Sequence, residues 1–104
     1  MIIYNITINI DPSIKKKWLI WINCHIREVL KTGKFTKAIF TKIITDESSS
    51  EVSYSIQYYA KSKSDLNDYI EKYSGPLKLD GVQKFGEKML AFRTKLELIK
   101  EFEF

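Results

Sequence analysis

Residues 2–10 alternate in polarity. Ile2, Tyr4, Ile6, Ile8 and Ile10 share one face; Ile3, Asn5, Thr7 and Asn9 share the other. A period of two with β-branched side chains predicts a half-buried strand. Asp11-Pro12 follows. Asp is a favoured N-cap and Pro a favoured first helical residue, so a helix is expected to start here. Over residues 14–33 the apolar spacing changes to three and four. Ile14, Trp18, Trp21, Ile22, His25 and Val29 form a stripe, with Lys15, Lys16, Lys17, Asn23, Arg27 and Lys31 outside it. At roughly 100° per residue the stripe is about 100° wide, the signature of an amphipathic helix. Gly33 suits the left-handed conformation that stops such a helix.

Residues 35–45 read as a second strand with apolar side chains on both faces: Phe35, Ile39 and Ile43 against Ala38, Phe40 and Ile44. That pattern implies cover on both sides. Residues 46–51, DESSSE, predict a polar hairpin loop. A third strand sets Val52, Tyr54, Ile56, Tyr58 and Ala60 against Ser53, Ser55, Gln57 and Tyr59. Ser62 with Asp65 is a variant capping box heading a second helix, marked by Leu66, Tyr69, Ile70 and Tyr73. Gly75-Pro76 is expected to break it, with a further short helical piece over 77–85 closed by Gly86. The last strand starts near Lys88. Leu90, Phe92, Thr94, Leu96 and Leu98 take one face; Met89, Ala91, Arg93, Lys95 and Glu97 take the other. The tail over 100–104, KEFEF, continues the alternation.

The order β-α-β-β-α-β predicts an α+β fold of the ferredoxin-like kind: a four-stranded antiparallel sheet with its helices on one face. A chain of 104 residues fits one domain over 1–104 and can build a core without disulfide or metal staples. The uncovered face must be solvated or buried by a partner. Strand 2, Phe102 and Phe104 carry more apolar surface than one helix layer can hide. A homodimer closing sheet against sheet is therefore expected.

Composition narrows the function classes. Apolar residues at 44% and aromatics at 13% exclude a disordered chain. A net charge of +4 admits anionic ligands. It lacks the clustered basic face of a nucleic-acid binder, and residues 88–95 do not match the strand motif of the RNA-binding module. The lysines at 15–17, 31, 34 and 37 read as a solvated face. One cysteine, Cys24, allows no internal disulfide and suggests a reducing compartment. The start, MIIYNITINI, has no Lys or Arg ahead of its apolar residues and is interrupted by Tyr4, Asn5 and Asn9. It reads as neither signal peptide nor membrane span, so a cytoplasmic location and no membrane partner are expected.

His25 is the sharpest chemical candidate. It sits between Trp21 and Val29 on the stripe, over a sheet face offering Tyr4, Tyr54 and Tyr58. A histidine walled by Trp and Tyr can act as general acid or base, because burial tunes a pKa already near neutrality. The alternative is a core histidine hydrogen-bonded to a tyrosine or a carbonyl. Glu28, one turn away, is a weaker catalytic candidate that could orient the imidazole; a solvated carboxylate paired with Lys31 is the alternative. Cys24 points roughly 100° from His25 on a helix, so the two form no dyad. Trp18 and Trp21 are candidate ligand contacts or core. Arg93 is expected on the dimer face beside Asn5, Thr7, Ser55 and Gln57, binding an anion or bridging to a partner carboxylate. One His and one Cys make no metal site. No glycine-rich phosphate loop or G-x-S-x-G is present, and no cofactor is expected.

Four segments also carry a resemblance: MIIYN, W-x-x-W-x-x-x-H over 18–25, L-x-T-G-x-F over 30–35, and F-G-x-K-x-x-A-F-R-T over 85–94. Together they resemble a family of short bacterial proteins, a domain-of-unknown-function family common in Bacteroidetes. The family is similar to the dimeric α/β-barrel superfamily of small monooxygenases, isomerases and stress-induced barrel proteins. The resemblance implies a ferredoxin-like monomer paired into a dimeric α/β barrel, with any ligand pocket between sheet and helices. It brings no activity. Two functions remain open: a small-molecule pocket under the first helix, as in a cofactor-independent enzyme with His25 as proton shuttle, or a non-catalytic ligand-sensing or interaction module with a structural His25.

Overall fold

A computed structural model describes residues 1–44 and 52–104; the hairpin loop expected over 46–51 lies outside the described residues. The first strand, β1 (Ile2–Ile10), leads through a 3-10 turn (Pro12–Ile14) into helix α1 (Lys15–Lys31). Strands β2 (Lys37–Lys42) and β3 (Val52–Ala60) follow. Helices α2 (Lys63–Lys72) and α3 (Ser74–Phe85), a 3-10 turn (Gly86–Lys88) and strand β4 (Met89–Glu97) complete the order. The sheet runs β2-β3-β1-β4, and every pairing is antiparallel. Among the described residues no helix is long and apolar enough to cross a membrane.

Strand β1 sets the frame because it is paired along its whole length on both edges. Ile2 to Ile10 run against Ala60 to Val52 on one side and Glu97 to Met89 on the other. Its even-numbered side chains are buried, as the alternation predicts. They share one core with Trp18, Ile22 and Val29 of α1 and with Leu66 and Tyr69 of α2, so the helices lie on that face. Each such apolar side chain contributes about 2 kcal/mol on burial. A one-residue slip would carry all five to the other face, so the register is firmly held.

The open face is polar at its centre and satisfies itself. Ser53 Oγ donates to Asn9 Oδ1 at 2.6 Å, and Ser55 Oγ to Asn5 Oδ1 at 2.8 Å. Tyr59 hydroxyl donates to Gln57 Oε1 at 3.2 Å.

Four expectations change. Arg93 does not face Asn5 and Thr7. Residues directly opposite on neighbouring strands share a face. Arg93 pairs with the buried Ile6, while Thr94 and Phe92 pair with Asn5 and Thr7. Arg93 therefore lies on the helix side, and Leu90, Phe92 and Leu96 are exposed on the open face. The tail does not extend β4. Leu98 N–H still donates to Met1 O at 3.0 Å, but the ladder to β1 ends at Glu97 opposite Ile2. Ile99, Phe102 and Phe104 are exposed outside any strand. Strand β2 is shorter than predicted because Phe35 leaves the sheet and enters the core, packing on Tyr4, Tyr58 and Tyr69. The break between α2 and α3 falls at Tyr73, and Gly75-Pro76 sits inside the first turn of α3. A proline is tolerated there because the first-turn N–H groups have no helical partner to lose.

The predicted caps form. Asp11 accepts from Ser13 N–H at 2.8 Å, and Ser62 Oγ accepts from Asp65 N–H at 3.2 Å. Gly33 has φ 77° at the end of α1.

Gly81 lets α3 approach the layer beneath it. A Cβ there would stand 2.9 Å from Trp21 Cη2 and 2.9 Å from Met89 Cε. Alanine normally gains about 1 kcal/mol over glycine within a helix. Overpacking against a rigid indole costs about 1–3 kcal/mol. Gly81→Ala is therefore expected to lower the urea-unfolding free energy, and a more stable variant would contradict this packing.

Candidate functional site

Between α1, α3 and the sheet lies a cavity of about 30 Å³. Its floor comes from the alternation of β1 and β3, which places Ile6, Ile8, Ile56 and Tyr58 on the covered face. Its roof comes from the α1 stripe, where Trp21, Ile22 and His25 follow at helical spacing. Leu77 and Lys78 of α3 and Met89, Ala91 and Arg93 of β4 close the sides. A volume of about 30 Å³ is small: a single water needs about 10–15 Å³, and ligand pockets usually run to about 300–1,000 Å³.

The sequence candidates separate into groups. His25, Trp21, Tyr58 and Arg93 line this one cavity. Tyr4 lies next to it, with the Arg93 guanidinium beside its hydroxyl. Trp18 and Tyr54 lie elsewhere in the core: their rings pack 4.8 Å apart beside Phe40, and Trp18 Nε1 donates to Met89 Sδ at 3.2 Å. Glu28 is exposed and bonded to Lys31 Nζ at 3.1 Å, outside the cavity lining. Cys24 is exposed. Among the described residues no three His, Cys, Asp or Glu side chains are grouped to hold a metal.

His25 is half-buried and stacks on Trp21, with ring centroids 4.5 Å apart and planes 24° from parallel. Trp21 is itself fixed, since its Nε1–H donates to Asp80 Oδ2 at 2.7 Å. This bond, supported by Lys84 at 3.4 Å, holds the Asp80 carboxyl below its usual range. Burial lowers the His25 pKa. The nearby Asp80 charge opposes that shift, and Arg93 adds to it. The imidazole is thus held neutral at pH 7, with a lone pair for a proton.

Tyr58 is 1% exposed, and its hydroxyl has no hydrogen-bond partner among the described residues. Burial pushes its pKa up, and the neighbouring Tyr69 and Tyr4 hydroxyls reinforce the shift. Tyr69 is likewise pushed up, to about 12, chiefly by burial. These phenols stay protonated and able to donate. A buried hydroxyl left unpaired costs about 1–3 kcal/mol, so such groups are uncommon in a finished core.

Sequence reasoning missed Lys78, Asp80 and Tyr69 as members of this neighbourhood. Tyr69 carried a signal, its place on the α2 stripe. Lys78 and Asp80 carried none, because their role depends on how α3 sits over Trp21.

The model of a domain of unknown function, DUF4286, matches residues 1–99. The chain belongs to the DUF4286 family. The motif resemblance pointed to a domain-of-unknown-function family, and DUF4286 is one. No curated protein matches the chain. Among solved structures, this DUF4286 chain is similar to a dimeric ferredoxin-like protein from an uncultured marine organism. The two are 12% identical over 99% of each chain, with a TM-score of 0.71. It is also similar to an ethyl tert-butyl ether d (EthD) family protein from Bacillus halodurans: 17% identity over 95% of this chain and 100% of that one, TM-score 0.69. A second dimeric ferredoxin-like protein from an uncultured marine organism gives 10% identity over 97% and 98%, TM-score 0.55. At these identities the likeness is one of fold, and it agrees with the ferredoxin-like topology of the sheet.

The lowered His25 pKa has a stability consequence with a definite sign. The unfolded imidazole gains its proton near pH 6.5, and the folded one only at lower pH. As pH falls below about 6.5 the unfolded state binds more protons, so stability present above that pH is lost. The fall in Tm between about pH 7.5 and about pH 5.5 should be smaller in His25→Gln than in the parent. Equal falls would contradict the neutral, buried imidazole.

Proposed function

We propose that this DUF4286 chain is one domain that forms a homodimer and binds a small molecule in the cavity beneath α1 and α3, with His25 as proton acceptor. The observation that carries the reading is Tyr58: its buried hydroxyl has no partner among the described residues, and the residue lines a cavity that His25 and Arg93 also line. A neutral imidazole can take a proton from the ligand and return it at a neighbouring atom. Arg93 would stabilise the negative charge that forms meanwhile. No electrons change hands, so an isomerisation of this kind needs no cofactor.

The dimer part rests on the open face. Leu90, Phe92 and Leu96 are each at least 40% exposed there, along one strand. The polar centre beside them is already hydrogen-bonded within the sheet, so covering it forfeits few bonds to water. Two of the similar solved proteins are described as dimeric. Arg93 stays on the helix side, clear of a partner on this face.

A second reading is favoured by the cavity's size. At about 30 Å³ it is far smaller than the roughly 300–1,000 Å³ of typical ligand pockets. On this reading His25 is structural and the protein is an interaction module. A thermal-shift screen of small carbonyl and carboxylate compounds separates the two, because a compound that binds only the folded state raises Tm. At least one compound should raise the parent Tm, with a smaller rise in Tyr58→Phe and in His25→Gln. A flat screen would leave the structural reading. For the dimer, light scattering at micromolar concentration should give twice the 12.2 kDa chain mass. Phe92→Glu should return it to the chain mass, and a monomeric parent would refute the dimer.

A further inference from the structure

We infer that the ligand of this cavity is a small carboxylate, its head group held between Arg93 and Lys78; this rests on the reading of the cavity as a ligand site. Both cations line the cavity, and among the described residues no acidic one does. The described carboxylates that form ion pairs do so elsewhere: Glu28 with Lys31, Asp68 with Lys34 and Lys72, Glu97 with Lys63, and Asp80 with Lys84. Neither Arg93 nor Lys78 takes part in an ion pair among the described residues.

Two like charges placed side by side raise each other's energy. Lys78 registers this, its pKa being lowered by burial and by Arg93. An anion between them turns the repulsion into attraction. The planar guanidinium fork matches the two oxygens of a carboxylate, with Lys78 as a point charge beside it. Tyr58, whose hydroxyl has no partner among the described residues, is a further lining residue. Burial keeps His25 uncharged, so it can accept a proton without competing for the anion.

Size limits the ligand. A space of about 30 Å³ takes a head group of a few atoms, and the rest must pass Arg93, which is exposed. The floor of Ile6 and Ile56 would contact only the first carbons of the ligand's body. Propionate meets these limits, and propionamide has the same shape without the charge.

The test is an NMR titration of the full chain with propionate, propionamide and chloride at constant ionic strength, following the amides of His25, Ala91 and Arg93. Propionate should shift them saturably, and propionamide should bind about tenfold more weakly or worse, the loss of a charge-assisted pair. Arg93→Gln and Lys78→Gln should each weaken propionate by about tenfold. If propionamide binds as well as propionate, or if the two variants bind propionate as tightly as the parent, the carboxylate assignment is overturned while the ligand site stands. Chloride producing the same shifts also overturns the assignment, since bulk anion screening would explain them. If none of the three binds, the ligand site falls with it.

Discussion

Three helices can cover one face of a four-stranded sheet, and β1 decides which face that is. It is paired on both edges without a break, and its five even-numbered side chains are all buried. Everything opposite them inherits their side. Tyr54, Ile56 and Tyr58 go under the helices with Ile8, Ile6 and Tyr4. Met89, Ala91 and Arg93 follow with Ile10, Ile8 and Ile6. The same rule sends Phe92 and Leu90 to the open face. Thus one strand register fixes both the cationic wall of the cavity and the apolar stripe left for a partner.

The cavity is where the packed core stops short of being apolar. The α1 stripe supplies Trp18, Ile22 and Val29 to the interior and then turns His25 toward the sheet. The imidazole is positioned at one remove by Asp80, through the indole it bonds. Gly81, next in sequence, is what lets α3 come that close. Around this point gather His25, the Tyr58 phenol, whose hydroxyl has no partner among the described residues, and the cations Arg93 and Lys78. A core selected only for stability would give the Tyr58 hydroxyl a partner, because a buried polar group without a bond is destabilising. Their concentration at one spot fits a site held ready for a ligand that completes the missing contacts.

Much of this was legible in the chain. The alternation of residues 2–10 and 52–60, the α1 stripe and the caps at Asp11 and Ser62 appear where the spacing put them. His25, Trp21 and Tyr58 were placed on facing elements by periodicity alone. The phase of β4 was not legible. Both of its faces carry apolar residues, so only its pairing with β1 tells that Arg93 goes inward. The partners from α3 were hidden for a related reason: Trp21 and Asp80 lie 59 residues apart, and no local pattern links them. The tail misled because KEFEF alternates like a strand. A strand needs a neighbour, and the ladder between β1 and β4 ends at Glu97 opposite Ile2.

We propose that the space under His25 is a ligand site. A high-resolution crystal structure of the protein is its most direct test. Ordered density, water or small anion, is expected in the cavity within hydrogen-bond distance of the Tyr58 hydroxyl and facing Arg93. A cavity closed by side chains, with the Tyr58 hydroxyl bonded to a protein group and Arg93 turned to solvent, would contradict it.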